Sequence, residues 1–370
     1  MSDYLFVTWD GGGNVPPARA LARRLLDRGH RVRVLGHPAQ RESVEGSGLE
    51  FRPYPTVPPF TGADPHSVLD MVRLFTDGRL ADDVVTESRR APTDAVVVDC
   101  LLLPALRACA RLGLPFVNLE HCFDGYLRRG WDRGPLGLAA RLRGIPAKRQ
   151  WDAARVTLVA SAAGLDPGHE AARHGNRVWT GPFVDETGPR DWEGQEPSVL
   201  VSLSTFCYPG MQQVLQRVVD AVGSLDVPAV VTTGPVLDPE ALQAPAQVQV
   251  RRFVPHDRLM PEVSVVVGHG GHATTMRALA HDLPLVVVPM HPMLDQPMVG
   301  RQVEKAGAGR LLSKKSSVER LRETIAELMT DGPHRASAAR LGAEIRAADG
   351  LTRAADLVEQ LEDPAGELRA

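Results

Sequence analysis

The apolar positions of this chain change their period along its length, and the changes mark its elements. The run Val263–Val267 has the β-branched composition of a strand buried on both faces. Gly268-His269-Gly270-Gly271-His272 interrupts it with a tight, glycine-rich turn. Thr274, Met276, Leu279 and Ala280 follow at a spacing that gives a helix one apolar face. Leu285–Val288 is then a second buried strand, ended by Pro289. Strand, turn, helix and strand make one βαβ unit.

The same succession opens the chain. Leu5–Trp9 is a short apolar strand and Asp10-Gly11-Gly12-Gly13-Asn14 a turn. Pro16-Pro17 suit a helix start, where a missing N–H does no harm. Ala18, Leu21, Ala22, Leu25 and Leu26 line one face of that helix, Gly29 stops it, and Arg31–Leu35 alternates as the next strand. Further strands are expected at Ala95–Val98, Phe116–Leu119, Val156–Ser161 and Val178–Gly181, then from Val199, at Ala229–Thr233 and at Val248–Phe253. Helices are expected over Val68–Leu80, Ala81–Arg89, Leu101–Leu112, Met211–Val222, Val318–Met329, His334–Ala348 and Leu351–Leu361, and Pro53–Pro65 reads as a loop. The polar stretch Asp185–Pro197 separates two runs of βα units. This predicts an α/β protein of two doubly wound domains, residues 1–185 and 198–348, joined by a linker at 186–197.

The glycine turn after Val267 carries the chemistry. It collects free backbone N–H groups and the positive end of a helix dipole at one point, which favours an anion, phosphate above all. Gly270 and Gly271 let a ligand approach the main chain, and His269 and Thr274 add side-chain donors. Beyond the next strand, Asp295-Gln296 sets a carboxylate beside an amide, a pair suited to sugar hydroxyls. Together these make a nucleotide-sugar site. The N-terminal turn does not make a dinucleotide site: Gly11-x-Gly13-x-x-Pro16 lacks the third glycine, and Gly36-His37 stands where an acid would hold a ribose.

His-Gly-Gly-x-x-Thr, a helix, Leu-Pro, a strand and Asp-Gln, in that order, resemble the donor-binding motif of nucleotide-sugar glycosyltransferases of the GT-B fold, above all bacterial natural-product enzymes. The resemblance extends upstream through Arg252–Pro261, similar to that family's base-binding loop, and Val199–Thr205, similar to the first strand and loop of its C-terminal half. It implies two facing Rossmann-like domains with a cleft between them. The C-terminal segment 349–370 then crosses back to the N-terminal domain. It also implies direct, inverting displacement without a metal or other cofactor, the nucleotide-sugar being a co-substrate. Val254, Pro255 and His256 would meet the base, His269, Gly270, Gly271 and Thr274 the diphosphate, and Asp295 and Gln296 the sugar.

Two departures stand out. Relatives have a histidine base in the first turn, oriented by an aspartate after a later strand; here the aspartate is matched by Asp99, but the histidine position is Gly13. Asp10, His121 and Asp124, each after a strand of the first half, are the substitutes, with Asp10 and His121 ahead of Asp124; alternatively the acceptor is acidic enough to need little help. Acceptor contacts are expected at Gly13, Asn14, Phe123 and Asp124; Phe60, Phe75, Tyr126 and Trp131 are equally core or pocket. The second departure is Arg277, where relatives carry a ribose-holding glutamate. It either pairs with phosphate or signals a donor lacking one ribose hydroxyl, such as a dTDP-sugar, the reading preferred here, with UDP open.

Composition narrows the alternatives. A net charge of −3 argues against nucleic acid as a partner. Four scattered cysteines without a CxxC, no signal-like start and no apolar run near the roughly 20 residues of a span predict a cytoplasmic protein, monomer or homodimer. Leu127–Arg155 is rich in arginine; it reads as an acceptor or membrane-facing surface, or as a solvated helical face. No Asp-x-Asp, G-x-S-x-G or Walker lysine occurs, and His269 and His272 lack a third metal ligand within sequence reach. A glycosyltransferase acting on a small natural product is the first expectation. A sugar-nucleotide epimerase of the same fold and a silent sugar-nucleotide-binding partner are the others.

Overall fold

A computed structural model describes residues 1–171, 175–184 and 198–362. The expected linker, 186–197, and the last residues of the 349–370 segment lie outside the described residues. The chain divides into two compact units. The first comprises Met1–Gly62, His66–Phe183 and the segment from Asp349; the second takes Ala63–Pro65 and the chain from Val184 to Ala348.

The first unit is built on seven strands: β1 (Asp3–Val7), β2 (Arg31–Gly36), β3 (Glu50–Pro53), β4 (Ala95–Asp99), β5 (Phe116–Glu120), β6 (Val156–Val159) and β7 (Arg177–Trp179). They lie in the order β3-β2-β1-β4-β5-β6-β7, all parallel. The second has six: β8 (Val199–Ser202), β9 (Ala229–Thr232), β10 (Val248–Arg251), β11 (Val265–Gly268), β12 (Leu285–Val287) and β13 (Gly309–Leu311). Their order is β10-β9-β8-β11-β12-β13, again all parallel. Both are Rossmann-like: strand order reverses between β1 and β4 and between β8 and β11, the switch points beside which doubly wound sheets bind ligands.

β1, β4, β5 and β11 are buried from end to end, which is why β4 and β11 read as near-continuous apolar runs, while β5 also buries Asn118 and Glu120. Among the elements that the sequence pattern misses are β3, β13 and the helix Gln296–Lys305, besides short helices such as Arg41–Glu45 and Ala147–Trp151. The first two are edge strands of three or four residues with one large apolar side chain each, too short to display a period. The helix opens at Pro297 inside a motif whose polar residues hide its start.

The helix Gly350–Glu359 packs on the helix Val15–Asp27 of the first unit. Leu351, Ala354, Leu357 and Val358 join a core with Leu21 and Leu25. Arg28 Nη1 donates to Asp356 Oδ1 at 2.8 Å and to Glu359 Oε2 at 2.7 Å, and His30 Nε2 lies 2.8 Å from Glu359 Oε1.

In the second unit the helix Pro333–Ala347 packs closely on the helix His272–Ala280, the one that follows the glycine turn. Gly342 permits the approach: a Cβ there would overlap Leu279 O and Asp282 Oδ1. Gly342→Val is therefore expected to destabilise the protein by about 1–3 kcal/mol through overpacking. Thermal unfolding of the variant against the parent measures this; an unchanged midpoint would mean the two helices separate freely.

Candidate functional site

In the second unit a glycine turn leads directly into a helix start, a backbone geometry that suits an anion. Ser202 pairs with Gly268 across the switch point, so the loops after β8 and β11 leave the sheet side by side. Gly270 turns the chain with φ +83°, a region that favours glycine. A Cβ at 270 would also stand 2.8 Å from Val287 Cγ1 and 2.9 Å from Gln296 O. Gly271 is the N-cap of the helix His272–Ala280 and, having no side chain, makes no cap bond to the first helical N–H groups. A Cβ on Gly271 would come 2.6 Å from His269 Nε2, so the imidazole lies directly over the cap.

His269 is poised by burial. Desolvation lowers its pKa to about 4, so the imidazole is neutral at pH 7, and its buried Nδ1 has no hydrogen-bond partner. Thr274 is in the first helical turn and half-buried, while Thr275 turns its hydroxyl back onto Gly271 O at 3.0 Å. His272 is buried. Arg277, one turn further along, lies close enough to His256 to add to the burial that lowers that histidine's pKa to about 4. His256 follows Val254 and Pro255, all three half-buried, and starts a short helix.

The sugar-side residues divide in role. Asp295 is the N-cap residue of the helix Gln296–Lys305 but makes no side-chain bond to it. Gln296 is buried, and its Oε1 accepts from Met290 N at 2.8 Å and His291 N at 3.0 Å. Its carbonyl thus fixes the loop before Asp295 rather than waiting for a hydroxyl. Tyr208, in the loop after β8, went unnoticed in the sequence. Its ring centroid lies 6.2 Å from His269 and 6.4 Å from His291. Burial, then the Asp295 carboxylate, raises its phenol pKa. The signal that could have found it is its place after β8, beside β11 at the switch point.

The first unit gathers a second group. Asp99 ends β4 opposite Leu119 in β5, so His121, two residues on, emerges on the same side beside it. His121 Nε2 lies 3.2 Å from Asp99 Oδ2, an ion pair without hydrogen-bond alignment. Burial alone would lower the pKa of His121; the Asp99 carboxylate, with the Cys100 thiol, outweighs it and holds the imidazole well above its ordinary value. Asp99 is itself fixed, Oδ2 by Asn14 Nδ2 at 2.9 Å and Oδ1 by Leu101 N at 3.0 Å. Donors of Asp99, Cys100 and His121 lie within 4.8 Å of one another, a set that a soft divalent cation could also use. Asp10 stands in the first turn; burial raises its pKa, opposed by the Thr61 hydroxyl and Gly62 N–H.

The expected acceptor residues fare differently. Gly13 is exposed, with open space where a Cβ would project. Asn14 is buried and spent: besides Asp99 it donates to Trp9 O at 2.9 Å and accepts from Gly11 N at 3.1 Å. Phe123 is wholly buried. Asp124 is too, accepting from Arg177 Nε at 2.7 Å and from Arg128 Nε. Asn14, Phe123 and Asp124 therefore support the site and present nothing to a ligand. Phe75 and Trp131 are core as well, edge to face with centroids 5.4 Å apart, whereas Phe60 and Tyr126 are half-buried.

Comparison with known proteins agrees with this geometry. The family described as "Erythromycin biosynthesis protein CIII-like, C-terminal domain" matches residues 216–362. The chain is 28% identical to 4'-demethylrebeccamycin synthase of Lentzea aerocolonigenes over 96% of its own length and 99% of that protein. The crystal structure of the kitacinnamycin glycosyltransferase superposes with a TM-score of 0.80 at 24% identity, covering 97% of this chain and 98% of that one. The glycosyltransferase VinC in complex with dTDP gives 0.73 at 20% identity, covering 97% and 99%. With two parallel Rossmann-like sheets that superpose on these structures, the chain has the GT-B fold, and over nearly its whole length it resembles glycosyltransferases, residues 216–362 matching the domain family above.

Proposed function

We propose that this enzyme moves a sugar from a dTDP-sugar, or less readily a UDP-sugar, to a hydroxyl or similar group of a small, largely apolar natural product. Displacement is direct and inverting, with no resident metal or cofactor. The observation that carries this reading is the Asp99–His121 pair at 3.2 Å, which supplies a proton acceptor although Gly13 cannot. The acceptor loses its proton to His121 as it attacks the anomeric carbon; Asp99 holds the imidazolium that forms.

The leaving diphosphate is taken by the open N–H groups of the helix starting at His272, with Thr274 and His269 beside it. His269 N–H donates to phosphate oxygen, a bond that strengthens as charge grows in the transition state. Asp295 accepts from sugar hydroxyls, and Tyr208 lines the same loop pair. The preference for dTDP rests on Arg277, which cannot accept from ribose hydroxyls, and gains support from the dTDP bound by VinC. Mass spectrometry on the protein with dTDP- and UDP-sugars and candidate acceptors tests the whole reading. A mass gain on acceptor is expected. An altered sugar nucleotide would instead make it an epimerase, and binding without turnover a silent partner.

His121→Ala is expected to lower kcat on the order of 10²–10⁴-fold, the loss of a general base. Because the pKa of His121 is raised and the base works deprotonated, kcat/KM should climb with pH through a value above about 6.5, the ordinary one. Asp99→Asn removes the charge that retains the proton and should shift that limb to lower pH. A parent profile flat from acid to alkaline pH would remove His121 from the reaction.

His269→Ala is expected to cost kcat on the order of 10²-fold, as for one lost oxyanion donor, with a smaller loss of donor affinity. In NMR titrations the His269 ring resonances of the free enzyme should stay in their neutral position until the pH falls toward about 4. Equal losses in turnover and affinity would leave His269 a binding residue only.

A further inference from the structure

The basic stretch after Leu127 belongs to neither the base nor the donor site. Eight basic side chains stand between Leu127 and Arg155 against two acidic ones, Asp132 and Asp152, in a chain of net charge −3. At its centre is the helix Pro135–Leu142. Leu136 and Ala140 pack that helix inward, while Leu138 and Leu142, one turn apart, are 56% and 81% exposed. Arg141 lies on the same side as both. It also lines an open groove of about 600 Å³ with Pro146, Lys148 and Arg149.

Both acids stand on the groove wall and are already matched. Asp132 Oδ1 lies 3.4 Å from Arg141 Nη2; Asp152 pairs with Lys148 and stands 3.6 Å from Arg177 Nη1. Arg129, Arg133, Arg143 and Arg149 are exposed beyond these pairs, so the face keeps a positive excess.

We propose that this face docks the protein on an anionic lipid surface. Leu138 and Leu142 enter the acyl boundary, and Arg141, Lys148 and Arg149 take headgroup phosphates along the groove. Leucines in a cationic rim are the composition of helices that lie in the headgroup layer. A nucleic acid would use the arginines but leave the leucines in water. A protein partner would need an interface of about 1,000 Å² or more, for which two leucines are a small apolar core. Attachment is peripheral: no helix among the described residues is long and apolar enough to cross a membrane. The inference is independent of the proposed reaction.

Flotation of the full chain with vesicles of phosphatidylcholine, alone or mixed with phosphatidylglycerol, tests it. Flotation is expected with the anionic vesicles only, at about 0.1 M salt, and release at roughly 1 M, where screening shortens from ~10 Å to ~3 Å. Leu138→Ser with Leu142→Ser should weaken binding on the order of 10-fold, and Arg141→Glu with Arg149→Glu should abolish it. Both pairs occupy exposed positions, and thermal unfolding of each verifies its folding. No flotation, equal flotation with neutral vesicles, or parent-like binding by both variants would overturn the proposal. So would a dimer in sizing chromatography that the leucine variant dissolves, since the face would then belong to a second copy.

Discussion

Parallel strands joined by right-handed crossovers cannot all keep their helices on one face of a doubly wound sheet. Where the order reverses, neighbouring strands send their loops to opposite faces and leave a crevice at their carboxyl ends. That constraint acts once in each unit, between β1 and β4 and between β8 and β11. Across the first switch point Asn14, after β1, reaches Asp99 at the end of β4, and pairing of Asp99 with Leu119 in the next strand brings His121 to the carboxylate; across the second, pairing of Ser202 with Gly268 brings the Tyr208 loop to His269. A register slip of one residue in either pair would turn these side chains to the other face.

Two histidines illustrate how the surroundings set the chemistry of one side-chain type. Both are withdrawn from water, which disfavours the cation. His121 meets the Asp99 carboxylate and is pushed up in spite of that; His269 meets no such charge and falls to about 4. The first suits holding a proton taken from an acceptor. The second suits donating a hydrogen bond to a diphosphate without a standing cation.

Several polar residues near these groups are framework. The Asn14 amide ties Asp99 to the turn after β1, and the Gln296 amide pins the backbone at Met290 and His291. Asp124 and Asp166 anchor another loop: Asp166 accepts from Asp124 N at 2.8 Å, Gly168 N at 2.8 Å and Trp179 Nε1 at 2.9 Å. A buried amide or carboxylate left unpaired is costly, so each is satisfied within the protein. For Asn14 and Asp124 this replaces the acceptor contact that the sequence suggested.

The sequence alone determined the two runs of βα units, because strands buried on both faces need unbroken apolar runs, such as Val265–Val267 and Ala95–Val98. It also determined the glycine turn after β11, since a glycine such as Gly270 is required by local backbone geometry and by close neighbours. Edge strands β3 and β13 escaped it, being too short to carry a period. Only the tertiary structure decided which polar side chains were already spoken for and which charges met. Asp99 and His121 are 22 positions apart, Asn14 and Asp99 85, and Asp124 and Arg177 53, and no local pattern encodes such pairings. Burial, and with it the opposite pKa shifts of His121 and His269, arises only when distant strands close over a side chain.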